Sequence, residues 1–284
     1  METMQSRHNV ARGRMLVVLA LAMLAGGCAA AQRQPAAAPV PEIRPGIPAG
    51  YLPAEQLPDP LALIPVPPAA GSSLQALDDD VSRKSLALHG TSRWKLAAED
   101  ADLMFPQAAG TFSCALGAPV TERDTPHLYM LLRRSMTDAG LSTYRAKQKY
   151  SRVRPFVVNG QPSCTPHEEE RLRHDGSYPS GHNAIGWAWA LILTEIAPDR
   201  ANAILARGRA FGRSRIVCNV HWQSDVNEGR MMAASVVARL HADPAFRAEL
   251  DAARAELQSV RSRGLAPSRD CALESEALAI DSAR

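Results

Sequence analysis

The stretch His182–Ala197, HNAIGWAWALILTEIA, limits the fold more than any other part of this chain. It is apolar almost all round, so as a helix it has no face to offer water and must be enclosed by other elements. At sixteen residues it is shorter than the roughly 20 apolar residues of a bilayer-crossing helix. The sequence therefore predicts a central buried helix of a globular domain, ended by Pro198. Its start is GSYPSGHN, residues 176–183. There Ser180 suits an N-cap, and Gly181 lets the backbone approach another group closely.

The segments around this helix are expected to be helical too. SLQALDDDVSRKSLALHG carries an apolar stripe of Leu74, Leu77, Val81, Leu86 and Leu88, then a break at Gly90. TPHLYMLLRRSMTDAGLSTYRAKQKY places Leu128, Leu131, Leu132, Ser135 and Met136 on one face. RANAILARGRAFGRSRIVC, SDVNEGRMMAASVVARLHA and PAFRAELDAARAELQSV complete the helical set. Alternating strand patterns are nearly absent; FVVNGQ is the one exception and is too short to support a sheet. The fold class expected is all-α, a compact single-domain helical bundle over roughly residues 72–260.

Residues 1–28 read as an export leader. Arg7, Arg12 and Arg14 precede the apolar MLVVLALAML, and AGGC follows, ending at Cys28. Small residues before a cysteine resemble a bacterial lipobox, which makes Cys28 a candidate for lipidation, although Leu24 lies one position earlier than the usual leucine. Cleavage after Ala31 fits the A-x-A pattern equally well. The expected location is periplasmic, either soluble or anchored to the outer membrane by lipid. Removing three arginines and Glu2 with the leader leaves 29 basic against 28 acidic residues. The basic balance of the whole chain therefore gives no reason to expect a nucleic-acid partner. Four cysteines remain, Cys114, Cys164, Cys218 and Cys271. In an oxidising compartment they suggest two disulfides, with three connectivities open. Residues 32–70 hold 11 of the 21 prolines. Residues 29–56 are expected to be a Pro/Ala-rich tether, and LPDPLALIPVPPAAGS to be an ordered arm along the domain surface.

Three segments carry chemistry. Lys147 and Arg154 in KQKYSRVRP are seven apart, which on a helix puts them on one face, and Pro155 is expected to stop that helix. In YPSGH the first-turn N–H groups after Ser180 suit an oxyanion, and His182 adds a group that titrates near neutrality. In GRSRIVCNVHWQSD, His221 and Asp225 are four apart, so the carboxylate can hold the imidazole in one tautomer. Arg215 adds a planar donor fork. Alone, the first is more often a solvated basic helix end and the second a simple cap, and the third reads equally well as a structural His–Asp pair.

Together, Lys147-x6-Arg154-Pro155, Pro179-Ser180-Gly181-His182 and Ser214-Arg215-x5-His221-x3-Asp225 resemble the three-part signature of the type 2 phosphatidic acid phosphatase superfamily, which also contains the vanadium haloperoxidases. GSYPSGHN, GTSRWKLAAEDADL, RPFVVNG, AIGWAWAL and HWQSDVNEGR sharpen the resemblance to the bacterial class A non-specific acid phosphatases, over about residues 57–255. The tag of that family ends in threonine where this chain has Asn183. The resemblance implies an exported acid phosphatase of broad specificity, with an acid phosphatase domain at 57–260 and a C-terminal tail at 261–284. It implies that His221 attacks phosphorus and forms a phosphohistidine, that Asp225 orients it, and that His182 protonates the leaving group. Lys147, Arg154, Arg215, Ser180 and Gly181 would hold the phosphate. No cofactor is implied. His221-x3-Asp225 could be half a zinc site, but the matched cations beside it would repel a metal.

The implied chemistry requires two histidines with separated pKa values, His182 raised and His221 able to lose its proton. The leaving-group pocket is expected from the arm at 57–70 and from the segment Arg93–Asp102. Competing readings are a membrane lipid phosphatase, a vanadate-dependent haloperoxidase-like enzyme and a non-enzymatic phosphoester-binding lipoprotein. The partner expected is a small phosphomonoester, and a homodimer would suit the family.

Overall fold

The computed structural model describes residues 40–282. The leader, Cys28 and the first part of the tether lie outside the described residues. The chain opens with two short antiparallel strands, β1 (Glu42–Arg44) and β2 (Ile47–Pro48). Helices then follow in order: α1 (Pro60–Leu63), α2 (Ser73–Ser85), α3 (Ser92–Glu99), α4 (Ser113–Leu116), α5 (Pro126–Leu141), α6 (Tyr144–Tyr150), α7 (Pro155–Asn159) and α8 (Glu169–Arg173). The last five are α9 (Gly181–Ile196), α10 (Ala201–Val217), α11 (Gln223–Leu240), α12 (Pro244–Ser262) and α13 (Cys271–Ser282). The fold is all-α, as the sequence predicts.

The apolar run is helix α9, and it packs against α5, α10, α11 and α12. Ser180 caps it by accepting the Asn183 N–H, and the helix stops at Ala197, which leaves the helical region (φ −130°, ψ 68°) before Pro198. Trp189 is fully buried among Phe105, Phe112 and Phe211, and its indole N–H donates to the Leu132 carbonyl 2.9 Å away on α5. That bond satisfies the one polar atom the ring brings into the core. The predicted face of α5 is buried throughout, from Leu128 to Met136.

Helix α2 departs from its predicted orientation. The buried positions are Asp78, Ser82 and Ser85, while Leu74 and Leu77 are 62% and 52% exposed. Burial of each leucine would contribute about 1.5–3 kcal/mol. The polar face wins because Asp78 meets Arg152 and the start of α11, as described below.

The proline-rich stretch is also more ordered than expected of a tether. Its backbone from Gly46 to Leu52 is docked on α5. Prolines lack N–H groups but keep their carbonyls, and α5 supplies the donors: Thr137 Oγ1 to Pro48, and the Arg134 guanidinium to Ala49 and Gly50. In return Asp138 accepts the N–H groups of Tyr51 and Leu52 at 2.9 and 3.1 Å. A side chain on Gly50 would overlap the Asp138 carboxylate, with its Cβ 2.0 Å from Oδ1. Residues 261–284, expected as a tail, contain α13. This helix is tied to α4 by a Cys114–Cys271 disulfide and packs on α3. FVVNGQ, the lone strand-like run, forms α7 and its left-handed cap at Gly160.

Candidate active site

A cavity of about 670 Å³ opens at the N-terminal end of α9. Lys147, Arg154, Gly181, His182, Arg215 and His221, all predicted from sequence, line it. Asp225 and Ser180 do not. Asp225 is fully buried behind His221, and Ser180 is buried at the cap of α9.

Lys147 and Arg154 converge by a different route from the one their spacing suggests. Helix α6 ends at Tyr150, Ser151 turns left-handed (φ 43°), and Arg154 precedes a new helix. Pro155 opens α7 rather than ending α6, because its fixed φ and missing N–H suit the first helical position. Arg154 is then clamped. Its guanidinium donates to the carbonyls of Leu172, Asp175 and Val220, each at 3.0 Å, and to Asp175 Oδ2 at 2.9 Å. Lys147 Nζ donates to the Gly176 carbonyl at 2.5 Å and lies 3.8 Å from Asp175 Oδ2.

Arg215 lies in the last turn of α10, and its carbonyl accepts the N–H groups of Val220 and His221. The intervening turn uses Asn219 at φ 61°, whose side chain pairs with that of Asn159. A disulfide from Cys164 to Cys218 fixes the same turn to the segment before α8. Of the three connectivities open in the sequence, the pairs are therefore 114–271 and 164–218. The turn places His221 just before α11, with Nδ1 3.2 Å from Asp225 Oδ2. The same oxygen accepts the Trp222 N–H at 2.9 Å, so Asp225 caps α11 and holds the imidazole at once. His221 Nε2 lies 3.2 Å from Arg154 Nη1. A guanidinium can only donate, so Nε2 is the unprotonated nitrogen and Nδ1 carries the proton toward the carboxylate.

His182 follows Gly181 and Ser180 at the start of α9. Its Nε2 is 2.9 Å from the Ala101 carbonyl, which can only accept. That nitrogen therefore bears hydrogen, and Nδ1 is the one able to take up or release a proton.

The electrostatics favour an anion. Burial and the neighbouring Arg154 lower the Lys147 pKa to about 8, and burial lowers that of Arg215 to about 10. The Nε and Nη1 atoms of Arg215 are buried with no hydrogen-bond partner among the described residues. Burial, then Arg154, Lys147 and Arg215, push His221 well below its ordinary value, which favours the neutral imidazole. His182 is pushed well down too, by burial and then by Arg215. The upward shift expected of His182 is thus not found in the cradle as it stands.

The outer cavity differs from expectation in its walls. The 98–104 segment contributes Ala98, Ala101, Leu103 and Met104, but the arm at 57–70 contributes nothing. Its place is taken by Ile43, Arg44 and Ile47 of the docked strands. Among the described residues no cluster of three or more His, Cys, Asp or Glu is placed to hold a metal.

Three functional neighbours escaped the sequence reading. Asp175 pairs with both Arg154 and Lys147. Arg152 donates to Asp225 Oδ1 at 2.7 Å, and Asp78 in turn pairs with Arg152 at 2.8 Å. Arg152 had a signal, since it stands inside the Lys147–Arg154 spacing. Asp78 had none, because it sits on a helix whose stripe pointed the other way. Asn183 is buried, and its amide donates to Ser180 Oγ at 3.1 Å and to the Gly212 carbonyl at 3.4 Å. Gly212 is required there: a Cβ would come within 2.0 Å of Asn183 Oδ1.

Comparison with known proteins places this geometry among relatives. Residues 127–248, which span Lys147 to Asp225, match the PAP2 superfamily. The chain is 45% identical over 212 residues to a non-specific acid phosphatase of Providencia stuartii, covering 74% of this chain and 86% of that one. It is 44% identical over 209 residues to an acid phosphatase of Zymomonas mobilis, covering 74% and 79%. It is 43% identical over 195 residues to a non-specific acid phosphatase of Salmonella typhimurium, covering 68% and 78%.

Proposed function

We propose that this chain, which belongs to the PAP2 superfamily and within it to the class A non-specific acid phosphatases, cleaves phosphate monoesters by way of a phosphohistidine on His221. It is a phosphoric monoester hydrolase; the route, the metal independence and the export are our reading. One observation carries the route. His221 is held at Nδ1 by Asp225, and its unprotonated Nε2 lies in the cavity beside Lys147, Arg154 and Arg215.

In the first step His221 Nε2 attacks phosphorus as the bond to the ester oxygen breaks. His182 Nδ1 passes its proton to the leaving alkoxide. Asp225 balances the positive charge that develops on the imidazole. Lys147, Arg154 and Arg215, with the Gly181 N–H at the start of α9, stabilise the three equatorial oxygens of the transition state. In the second step the now neutral His182 takes a proton from water. The water oxygen attacks phosphorus, the P–N bond breaks, and phosphate leaves with His221 neutral again. A dianion in the cradle offsets the field of Arg215 and raises the His182 pKa, so His182 gains its proton as substrate binds. That sign predicts an acidic optimum.

Three cations and a helix N-terminus supply the charge stabilisation that a metal gives other phosphatases, which supports a metal-independent reaction. Apolar side chains of Ile43, Ile47, Leu103, Met104 and Met136 around the outer cavity suit the organic part of many esters and support broad specificity. Two disulfides support export, with or without lipid at Cys28.

The test is hydrolysis of p-nitrophenyl phosphate from pH 4 to 9 in EDTA, with denaturing quench to trap labelled enzyme. The wild type should be active, EDTA-resistant and labelled on His221. His221→Ala should lose about a thousandfold or more and carry no label. Full activity in that variant, or complete loss in EDTA, overturns the mechanism.

A further inference from the structure

Behind the His221–Asp225 pair, on the side away from the cavity, lies a buried chain of charges. Arg152 Nη1 donates to Asp225 Oδ1 and to Ser224 Oγ, both at 2.7 Å. Arg152 Nη2 donates to Asp78 Oδ2 and Gln75 Oε1, both at 2.8 Å. Asp78 also accepts the Ser224 N–H and hydroxyl, at 2.8 and 2.5 Å. The Arg152, Asp78 and Asp225 side chains are 9%, 2% and 0% exposed. The guanidinium lies 5.4 Å from the Trp222 ring centroid, and the indole N–H of Trp222 donates to the Val153 carbonyl. Arg152 is thus fixed on four sides, and neither it nor Asp78 lines the cavity.

Two facts need a common cause. Helix α2 leaves Leu74 and Leu77 in water while burying Asp78. And a single guanidinium is shared between two buried carboxylates, although either alone would neutralise it. We propose that Asp78 and Arg152 are positioning residues for the nucleophile: Asp78 holds the Arg152 fork, and the fork holds Asp225 ionised with Oδ2 turned to His221 Nδ1.

The division of labour follows from the charges. Burial favours a protonated Asp225, and Arg152 opposes this. Were Arg152 unpaired, its full charge would fall on Asp225 and weaken that carboxylate as an acceptor for the imidazole proton. Asp78 takes part of that charge. Four acceptors around the fork leave it one orientation, and a planar group with five donors is the side chain that can fill this place. Asp225 also faces the charges of Lys147 and Arg154 across the cradle, and Tyr178. Lys147 and Arg154 line the cavity, and the Tyr178 hydroxyl donates to the Pro65 carbonyl.

The inference rests on His221 being the nucleophile. Its test compares Arg152→Met, Arg152→Lys and Asp78→Asn with the wild type and with His221→Ala. KM and kcat for p-nitrophenyl phosphate are measured across pH, with a proton NMR spectrum of the downfield imidazole N–H. Arg152→Met should lower kcat on the order of a hundredfold, since a wrongly held imidazole is costly in such pairs. KM should move less than about threefold, because the cavity is untouched. Asp225 then ionises only at higher pH, so the acidic limb of kcat should move up by about one pH unit or more. Arg152→Lys restores a charge but not the fork, and should return the limb while leaving kcat about tenfold low. Asp78→Asn should lower kcat about tenfold with the limb where the wild type has it. The Nδ1–H resonance, absent in His221→Ala, should shift in all three. Should Arg152→Met fail to fold, the other two variants carry the same readouts. Folded variants with wild-type kcat, limb and resonance, alongside an inactive His221→Ala, overturn the relay alone. An active His221→Ala overturns the nucleophile assignment on which it rests.

Discussion

Helix α10 carries two buried arginines two turns apart, and they are opposites. Arg207 is matched: Asp100 accepts from both of its terminal nitrogens, Nη1 at 3.1 Å, and Glu274 of α13 accepts from Nε at 3.1 Å. Its pKa is raised, and that of Asp100 lies below the usual carboxylate value in spite of burial. Arg215 has two guanidinium nitrogens without a hydrogen-bond partner among the described residues, and burial pulls its pKa down to about 10. One arginine is satisfied by the protein; the other has the unfilled donors that the proposed function assigns to the phosphate. Charge and burial are the same in both; the carboxylates around them separate structure from function.

Substituting each arginine in turn gives the sharpest separation. Arg215→Met should lower kcat/KM for p-nitrophenyl phosphate by roughly a hundred- to a thousandfold, the usual cost of one oxyanion donor. Its thermal midpoint should stay level or rise, because a poorly compensated buried cation is gone. Arg207→Met should do the reverse. It leaves Asp100 and Glu274 buried without their partner and should cost about 3–5 kcal/mol in urea unfolding, with kcat per folded molecule little changed. Equal losses of activity in the two variants would erase the distinction.

Next in size is the support behind Arg207. Cys271→Ser frees α13, which carries Glu274, by opening the bridge to Cys114 across 157 residues. The expected loss is about 2–5 kcal/mol in urea unfolding, with KM unaltered. A raised KM would mean that the two regions are coupled.

The smallest effect is a titration. Lys147 has its folded pKa lowered to about 8 from an ordinary 10.5. Between those values the unfolded chain binds more protons, so the lowered group costs stability at neutral pH and that cost is relieved as pH rises from about 8 towards 10.5. Binding has the opposite trend, since the anion needs the ammonium. KM should therefore rise by several-fold as pH passes about 8, and inorganic phosphate should raise the thermal midpoint most below that pH. A flat KM from pH 7 to 9 would show that Arg154 and Arg215 suffice.

Much of this was legible along the chain. The apolar run required an enclosed helix, and Ser180 marked its start. Lys147, Arg154, His182, Arg215 and His221, which line one cavity, were singled out by residue type and then by the resemblance of their three segments to the family signature; each segment alone read as ordinary structure. Asp225 was legible for the same reason, as the carboxylate four residues from His221. Local patterns misled where a distant partner outweighed them. The leucines of α2 predicted the wrong buried face, since nothing nearby says that Arg152 is waiting for Asp78. The prolines of residues 41–48 suggested a free tether, since the donors that dock the Pro48, Ala49 and Gly50 carbonyls sit on α5, 84 to 89 residues later.

The sequence by itself determined the enclosed central helix, which follows from the apolar run, and, through the family resemblance of its three segments, which side chains we propose to bind and attack a phosphoryl group. The tertiary structure alone decided which cysteines pair, which segment walls the outer cavity and which buried arginine is left without a carboxylate. Those outcomes depend on groups 50 to 160 residues apart meeting in a low-dielectric interior, where the presence or absence of one partner reverses the energetic meaning of a charge.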